Sequence, residues 1–512
     1  MTETQEALTP LESNLTLDFL QSLIRQGTLR EDSTISDVID ILLSRIPGGH
    51  AGVSEGGSKF VIHGGASSYE ARRKCYICHV KLAFAARHPQ YSSLCAGCAS
   101  FNISSSALSL PCNLDLNGKT ALVTGGRLNL GFHVALRLLR CGARVIVTGR
   151  YPRDAETRYL TQPDSQNWES KLGIIGADFR TARDVFRLVG VVKRVLTNWA
   201  SDKSPRLDIL INNAAQTLTD SIAAEKNAIT REVDLAGNNS KLVFEPSPDE
   251  YVPRMRGGAG ALNLGMGNDD QTKVQSIRDM RAQPDMVYGD SEPPPSIEKP
   301  LPLKALSRHT LRQTSSWTQS LPEIPYEDLI SAHSVNTFVP LVLIRELLPI
   351  MGIRERRPGE TLGSPNSHST QSLPSGYILN VTSREGIFDS VSIPPYHDKQ
   401  PKSTTRKTKF HVHTNMSKAA LNMITETEAA QCWHERRLCM NSVDPGYMSA
   451  APGFAEKKGL PIGWEDGAGR VLWPVAVGWG KEEEIAVGRK RVIWGQFLKH
   501  YRPTQWGGEA FY

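Results

Sequence analysis

From Leu116 onward, short apolar runs alternate with longer stretches whose apolar positions recur at helical spacing. TALVTGG (120–126) reads as a buried strand ending in a glycine turn, and FHVALRLLRCG (132–142) as a helix closed by a glycine. ARVIVTGR (143–150), LDILINNAA (207–215), GYILNVTS (376–383) and RLCMNSVDPG (437–446) read as further strands. SVNTFVPLVLIRELLPIM (334–351) and MSKAALNMITETEAAQCW (416–433) read as long helices. Strands that alternate with helices imply a parallel sheet with crossover helices, so the fold class is α/β.

Three polar segments interrupt this alternation. The first, about 218–325, contains RGGAGALNLGMGNDD and SEPPPSIEKPLPL and has the composition of a flexible insertion, its end (SSWTQSLPEIPYEDL) being a candidate pocket rim. The second and third lie at about 355–375 and 389–410. Ahead of the α/β region, Leu15, Phe19, Leu20, Leu23 and Ile24 keep a helical period, and STISDVIDILLSRIPGG reads as a second helix. The expected organisation is a helical region over 1–60, a cysteine module over 70–105, and the α/β domain with its insertions over 113–512.

Composition narrows the class. Hydrophobic content of 39% and charged content of 22% over 512 residues fit a globular protein with a large core. The net charge of +6 is too small to point to nucleic acid. The start, MTETQEALTPLESN, lacks the basic-then-apolar pattern of a secretory signal, and no window approaches the ~18 apolar residues of a membrane span. Eight cysteines are too few for a disulfide scaffold, so a reducing, cytoplasmic setting is expected.

Four of those cysteines carry chemistry. Cys75, Cys78, Cys95 and Cys98 follow the spacing C-x2-C-x16-C-x2-C, which suits a structural zinc site. Each C-x-x-C turn aims two thiolates at one metal, and two turns close a tetrahedral shell with no open position for catalysis. Free thiols or two disulfides are the competing states. Arg72, Arg73 and Lys74 precede the module, but one knuckle with a short basic run is a poor nucleic-acid reader; packing or protein contact is the expected role.

The turn TGGRLNLG (124–131) follows a strand and opens a helix, the context in which a glycine pattern binds a diphosphate. Gly125 permits the tight turn, Gly131 the close approach of helix to strand, and the helix N-terminus offers free N–H groups. Asn129 stands where a middle glycine is common, and asparagine is the non-glycine residue that best tolerates a left-handed backbone.

TGGRLNLG, NNAA (212–215), Ser383 in NVTSREG, the SKAALNM helix and DPG (444–446) occur in an order that resembles the short-chain dehydrogenase/reductase family over about 113–450. The resemblance implies a Rossmann-type doubly wound sheet with NAD(H) or NADP(H) at the strands' carboxyl ends. It puts Gly125, Arg127, Asn129 and Gly131 at the phosphates, Asp178 at the adenine, Asn213 and Ala214 against the adenosine, and Pro445 and Gly446 beside the nicotinamide. At the end of the second strand, where an acid would hold the ribose hydroxyls of NAD, stands Arg150. It suits a 2′-phosphate, so NADP(H) is expected ahead of NAD(H).

The family's reactive group is Asn–Ser–Tyr–Lys, and here it is incomplete. Asn336 matches the supporting asparagine, Ser383 the serine that polarises the substrate carbonyl, and Lys418 the lysine that binds the nicotinamide ribose. Four residues before Lys418, in the tyrosine's place, is Thr414. A phenol can be brought from ~10 towards neutrality by a cation, and an aliphatic hydroxyl cannot. Tyr396, thirteen residues after Ser383, and the pair His411 and His413 are the alternative donors.

Two functions follow. One is a reductase or dehydrogenase acting on a carbonyl or alcohol, with a non-standard proton donor. The other is an NADP(H)-binding regulatory or scaffold protein whose zinc module and insertions contact partners. A homo-oligomer is implied by the resemblance alone, and the substrate is not legible.

Overall fold

The computed structural model describes residues 74–80, 88, 90–235, 240, 242–244, 251–255, 316–353, 373–388, 407, 410–448, 461–481 and 492–504. The helical region over 1–60, most of the first insertion, most of the second, and nearly all of the third, Tyr396 included, lie outside them.

Eight strands form one sheet: β1 (Thr120–Val123), β2 (Arg144–Gly149), β3 (Leu172–Gly176), β4 (Ile209–Asn212), β5 (Gly376–Val381), β6 (Leu438–Asp444), β7 (Phe497–Lys499) and β8 (Arg502–Thr504). Their spatial order is β3-β2-β1-β4-β5-β6-β7-β8. All neighbours are parallel except β7 and β8, which form an antiparallel edge. The order reverses between β1 and β4, the switch point at which doubly wound sheets open a crevice at their carboxyl ends. The sheet is a Rossmann-type α/β fold.

Strands of a parallel sheet are covered on both faces, and here successive residues divide between two cores. Ala121, Val123, Val145, Val147, Ile209, Ile211 and Leu379 enter one core. Leu122, Ile146, Leu210 and Ile378 enter the other. The first face is covered by α2 (Asn129–Arg140), through Val134, Ala135 and Leu138, and by α9 (Trp464–Trp479). The second is covered by α4 (Ala182–Trp199), α7 (Val339–Leu347) and the end of α8 (Val412–Arg436). Phe497 and Tyr501 of the aromatic C-terminal stretch are buried in the packing, not displayed around a pocket.

Between β2 and β3 runs α3 (Pro152–Leu160). The first insertion opens with α5 (Ile222–Asp234), an ordered helix where composition alone suggests a flexible segment. A Ser221 side chain caps it, and it packs on α3. Further on, α6 (Tyr326–His333) continues into α7 through a π-turn at Ser334–Phe338. Ahead of the sheet, α1 (Ala96–Ala107) follows the cysteine knuckle and packs on α9. No helix among the described residues is long and apolar enough to cross a membrane.

Candidate active site

The glycine turn forms as its residue types require. Gly125 (φ +69°) and Asn129 (φ +52°) both adopt left-handed backbone, so asparagine does take the place of a middle glycine. A Cβ on Gly131 would collide with the Gly125 carbonyl and with Asn213 Nδ2, which itself donates to Thr124 O at 3.0 Å. Leu128 occupies the N-cap of α2 and offers no side-chain acceptor to its first turn. Among the described residues no side chain caps that helix start, and its first turn carries no acid, so its N–H groups are not spent on a side-chain cap.

Lys418 and its neighbours meet at the carboxyl ends of β5 and β6. Lys418 Nζ donates to Val381 O at 2.8 Å, and burial lowers its pKa from 10.5 to about 8, with Asp444 opposing. Asn336 lies in the π-turn, fully buried, where its Oδ1 accepts from Gln216 N at 2.7 Å. Its Nδ2 donates to Ser417 Oγ at 2.9 Å, which ties it to the residue before Lys418. Single π-turns inside helices are frequent at functional sites, because the extra residue re-aims a side chain.

Ser383 follows β5 and opens a short 3-10 turn, Arg384–Gly386, in which its Oγ accepts from Glu385 N at 3.2 Å. Gly386 presses this turn against α8, so that a Cβ there would meet the Lys418 carbonyl carbon at 2.5 Å. Ser383, Asn336 and Lys418 therefore converge, as the motif spacing leads one to expect. Beneath them, Asn212, Asn380, Thr425 and Ser442 form a buried hydrogen-bonded chain that ties β4, β5, α8 and β6 together.

Thr414 joins the group differently. It is 1% exposed, and its Oγ1 has no hydrogen-bond partner among the described residues. His411 caps α8 with a left-handed backbone, stacks on Trp317 at 4.0 Å, and engages both nitrogens. Nδ1 lies 2.8 Å from Trp317 O, and Nε2 lies 3.5 Å from Glu385 Oε2. The hydrogen bond from His411 holds the Glu385 carboxyl below its ordinary range. His413 is buried, which lowers its pKa, and its Nδ1 has no hydrogen-bond partner among the described residues.

On the far side of the crevice, the cationic residues already have carboxylate partners. Arg127 Nη1 lies 2.7 Å from Asp154. Arg150 lies 2.9 Å from Glu225 and 3.2 Å from Asp220, both in the first insertion. Asp178 accepts from Arg180, which also reaches Glu225 at 2.7 Å. Glu232 accepts from the N–H groups of Arg153 and Asp154 at 2.7 and 2.9 Å, so a carboxylate sits at the start of α3. Ala214 packs against Gly125. Pro445 and Gly446 follow β6: Pro445 O accepts from Arg470, and Gly446 (φ +98°) donates to Asp444 Oδ1 at 2.8 Å.

Cys75, Cys78, Cys95 and Cys98 bring their sulfurs within 4.8 Å of one another. A tetrahedron with metal–sulfur bonds of ~2.3 Å has edges of roughly 3.8 Å. The Cys78–Cys95 Sγ separation of 3.7 Å matches that edge, and all four cysteines are free of disulfides. The donor set fits a closed four-sulfur zinc shell.

Sequence reasoning missed Ser417, Glu225, Glu232, Arg470 and the Val381 carbonyl. Glu225 lies in the first turn of the helix that Ser221 caps, four residues after it in SIAAEKN, a helix-start signal that was available. A backbone carbonyl leaves no signal at all.

Residues 119–238 match the family model described as short chain dehydrogenase. An uncharacterized protein of Acanthamoeba polyphaga mimivirus, R665, is 27% identical over 418 residues, covering 79% of this chain and 71% of that protein. Among solved structures, the landomycin C-6 ketoreductase LanV with bound NADP and rabelomycin is 17% identical, covering 76% of this chain and 96% of that one, with a TM-score of 0.40. Pseudomonas aeruginosa RhlG, in an NADP active-site complex, is 16% identical over 65% and 75% of the two chains, with a TM-score of 0.34.

Proposed function

We propose that this chain, whose residues 119–238 match the short chain dehydrogenase model, is an NADP(H)-dependent oxidoreductase acting on a carbonyl or alcohol. One observation carries the reading. Lys418 is a buried ammonium with three N–H donors and, among the described residues, one acceptor, the Val381 carbonyl. A buried cation so sparsely satisfied is costly unless a ligand completes its shell, and a ribose diol supplies two acceptors. The uncapped start of α2 supports a diphosphate on the same crevice.

When bound, the nicotinamide supplies the carbon that gives or takes hydride. Ser383 Oγ accepts the Glu385 N–H, which leaves its own proton for a substrate oxygen. Asn336 fixes α8 through Ser417 and so sets the height of Lys418. Lys418, with a pKa of about 8, is the better proton source in place of the missing phenol, directly or through a water it holds. Arg150 and the lack of an acid on β2 support NADP(H), while Glu225 beside Arg150 opposes it. The four-cysteine knuckle takes a structural zinc.

A second reading is a nucleotide-binding regulatory or scaffold protein without turnover. It is favoured by Thr414, whose buried hydroxyl has no hydrogen-bond partner among the described residues. Titrating NADPH by fluorescence tests what the two share. Measuring NADPH consumption over a carbonyl panel, with Lys418→Ala and Ser383→Ala as controls, separates them. Tight binding without Lys418-dependent turnover would leave only the second.

A further inference from the structure

The cysteine knuckle does not hang off the domain; it reaches the turn after β6. Tyr76 lies between the first two cysteines, and its hydroxyl accepts the N–H of Tyr447 at 2.6 Å. Asn102 lies on α1, the helix that Cys95 caps, and is fully buried. Its Oδ1 accepts from Arg470 Nη2 at 2.8 Å, while Arg470 Nη1 donates to Pro445 O at 3.1 Å. Asp466 pins the same layer, accepting from Asn102 Nδ2 at 3.1 Å and from the Tyr91 hydroxyl at 2.5 Å. Tyr447 is thus held directly by Tyr76, and Pro445 is held by Arg470, which Asn102 of α1 positions in turn.

We propose that this knuckle is a positioning element for the nicotinamide end of the crevice, holding the Pro445–Gly446–Tyr447 turn through Tyr76 and through Asn102–Arg470. The proposal rests on the nucleotide-binding reading above. Gly446 shows how little slack the turn has: its φ is +98°, a Cβ would strike Arg470 Nη1, and the Tyr76 oxygen is 3.3 Å from that point. Arg470 is 2% exposed, and its hydrogen-bond acceptors are neutral oxygens, one on α1 and one on the turn. Remove the knuckle and a buried guanidinium loses half of its solvation, so turn and knuckle hold or shift together. The knuckle's own core is Cys75, Ile77, Tyr91, Leu94 and Ala99. A core that small folds with a metal or on a neighbour, so metal occupancy is linked to the turn.

The test compares NADP+ with its nicotinamide-free fragment, 2′-phospho-ADP-ribose, on the full-length protein. Tyr76→Phe removes a single hydroxyl, and is expected to weaken NADP+ about fivefold, the worth of one hydrogen bond, with fragment affinity unchanged. Arg470→Lys and chelation of the metal move affinity the same way and further. Hydrogen exchange of the peptide covering residues 445–448 rises in each case, without nucleotide present. If Tyr76→Phe and metal removal weaken NADP+ and fragment equally, or change neither ligand nor exchange, the positioning role is overturned while nucleotide binding stands. If wild-type protein binds neither ligand, the nucleotide reading fails first and the proposal with it.

Discussion

Glu225 lies between two guanidinium groups, 2.9 Å from Arg150 Nη1 and 2.7 Å from Arg180 Nη1, and is 2% exposed. It comes from the insertion, yet it occupies the cation at the end of β2 that a 2′-phosphate would need. Glu225→Gln keeps the shape and removes the competing charge. The expected result is an NADPH-to-NADH affinity ratio raised about tenfold, with some loss of stability from the broken buried pair. Fluorescence titration of both nucleotides checks it; an unchanged ratio would place Glu225 away from the adenosine ribose.

Thr414 stands at the position that the resemblance gives to the tyrosine, and among the described residues nothing pairs with its hydroxyl. Exchange for valine replaces an unsatisfied buried oxygen by a methyl of the same shape. Stability is therefore expected to hold or to rise by up to about 1 kcal/mol, with turnover unchanged. Chemical denaturation and NADPH consumption measure the two. A tenfold fall in turnover would give the hydroxyl a part in proton transfer after all.

Lys418 titrates from about 8 in the folded protein against 10.5 in the unfolded chain, because burial penalises its charge. Between those values the unfolded chain binds the extra proton, so stability gains as pH rises through that window. Below pH 8 the penalty is present in full, on the order of 3 kcal/mol at most. Lys418→Met removes it. Its stability relative to wild type should be highest at pH 7 and fall by pH 9.5, as read by urea unfolding. A pH-independent difference would mean the ammonium is solvated in solution.

Gly131 has no room for a side chain against the Gly125 carbonyl and Asn213 Nδ2. Gly131→Ala must push apart the turn and β4, costing about 1–3 kcal/mol as overpacking does. Because the displaced atoms form the turn proposed to hold the diphosphate, nucleotide affinity should fall by more than tenfold. Thermal unfolding and titration report both effects; full affinity in the variant would show that the turn does not carry the diphosphate.

The central strands were legible because each is a continuous apolar run buried on both faces. β3 was not, since LGIIG is short and flanked by polar residues. α9 contains Pro474, Gly467 and Gly469, which weaken any helical reading of the sequence. Tertiary packing sustains it, and Gly469 lets α1 and Tyr501 approach closely. α5 escaped for another reason: it docks through Glu225 and Glu232, whereas periodicity registers apolar residues. At the site, motif spacing singled out Ser383, Asn336 and Lys418, because each proposed role is carried by a side chain. The Asn102–Arg470 pair, 368 residues apart, has no local signature.

Chelation should separate the knuckle's stability from that of the sheet. Four sulfurs within 4.8 Å of one another are mutually repulsive as thiolates unless a cation sits among them. Purified protein is therefore expected to carry one zinc per chain, and Cys75→Ser to lose it. Loss of the metal leaves the eight-stranded sheet with its own two cores, so far-ultraviolet circular dichroism should change little. The contacts of Tyr91 and Asn102 with Asp466 go with the knuckle, and α9 loses its outer cover. A fall in melting temperature of several degrees is the expected size, since ~1 kcal/mol shifts a chain of this class by a few degrees. Zinc absent from protein whose thiols are all reduced and reactive would leave the knuckle held by its packing on α9 and on the turn after β6.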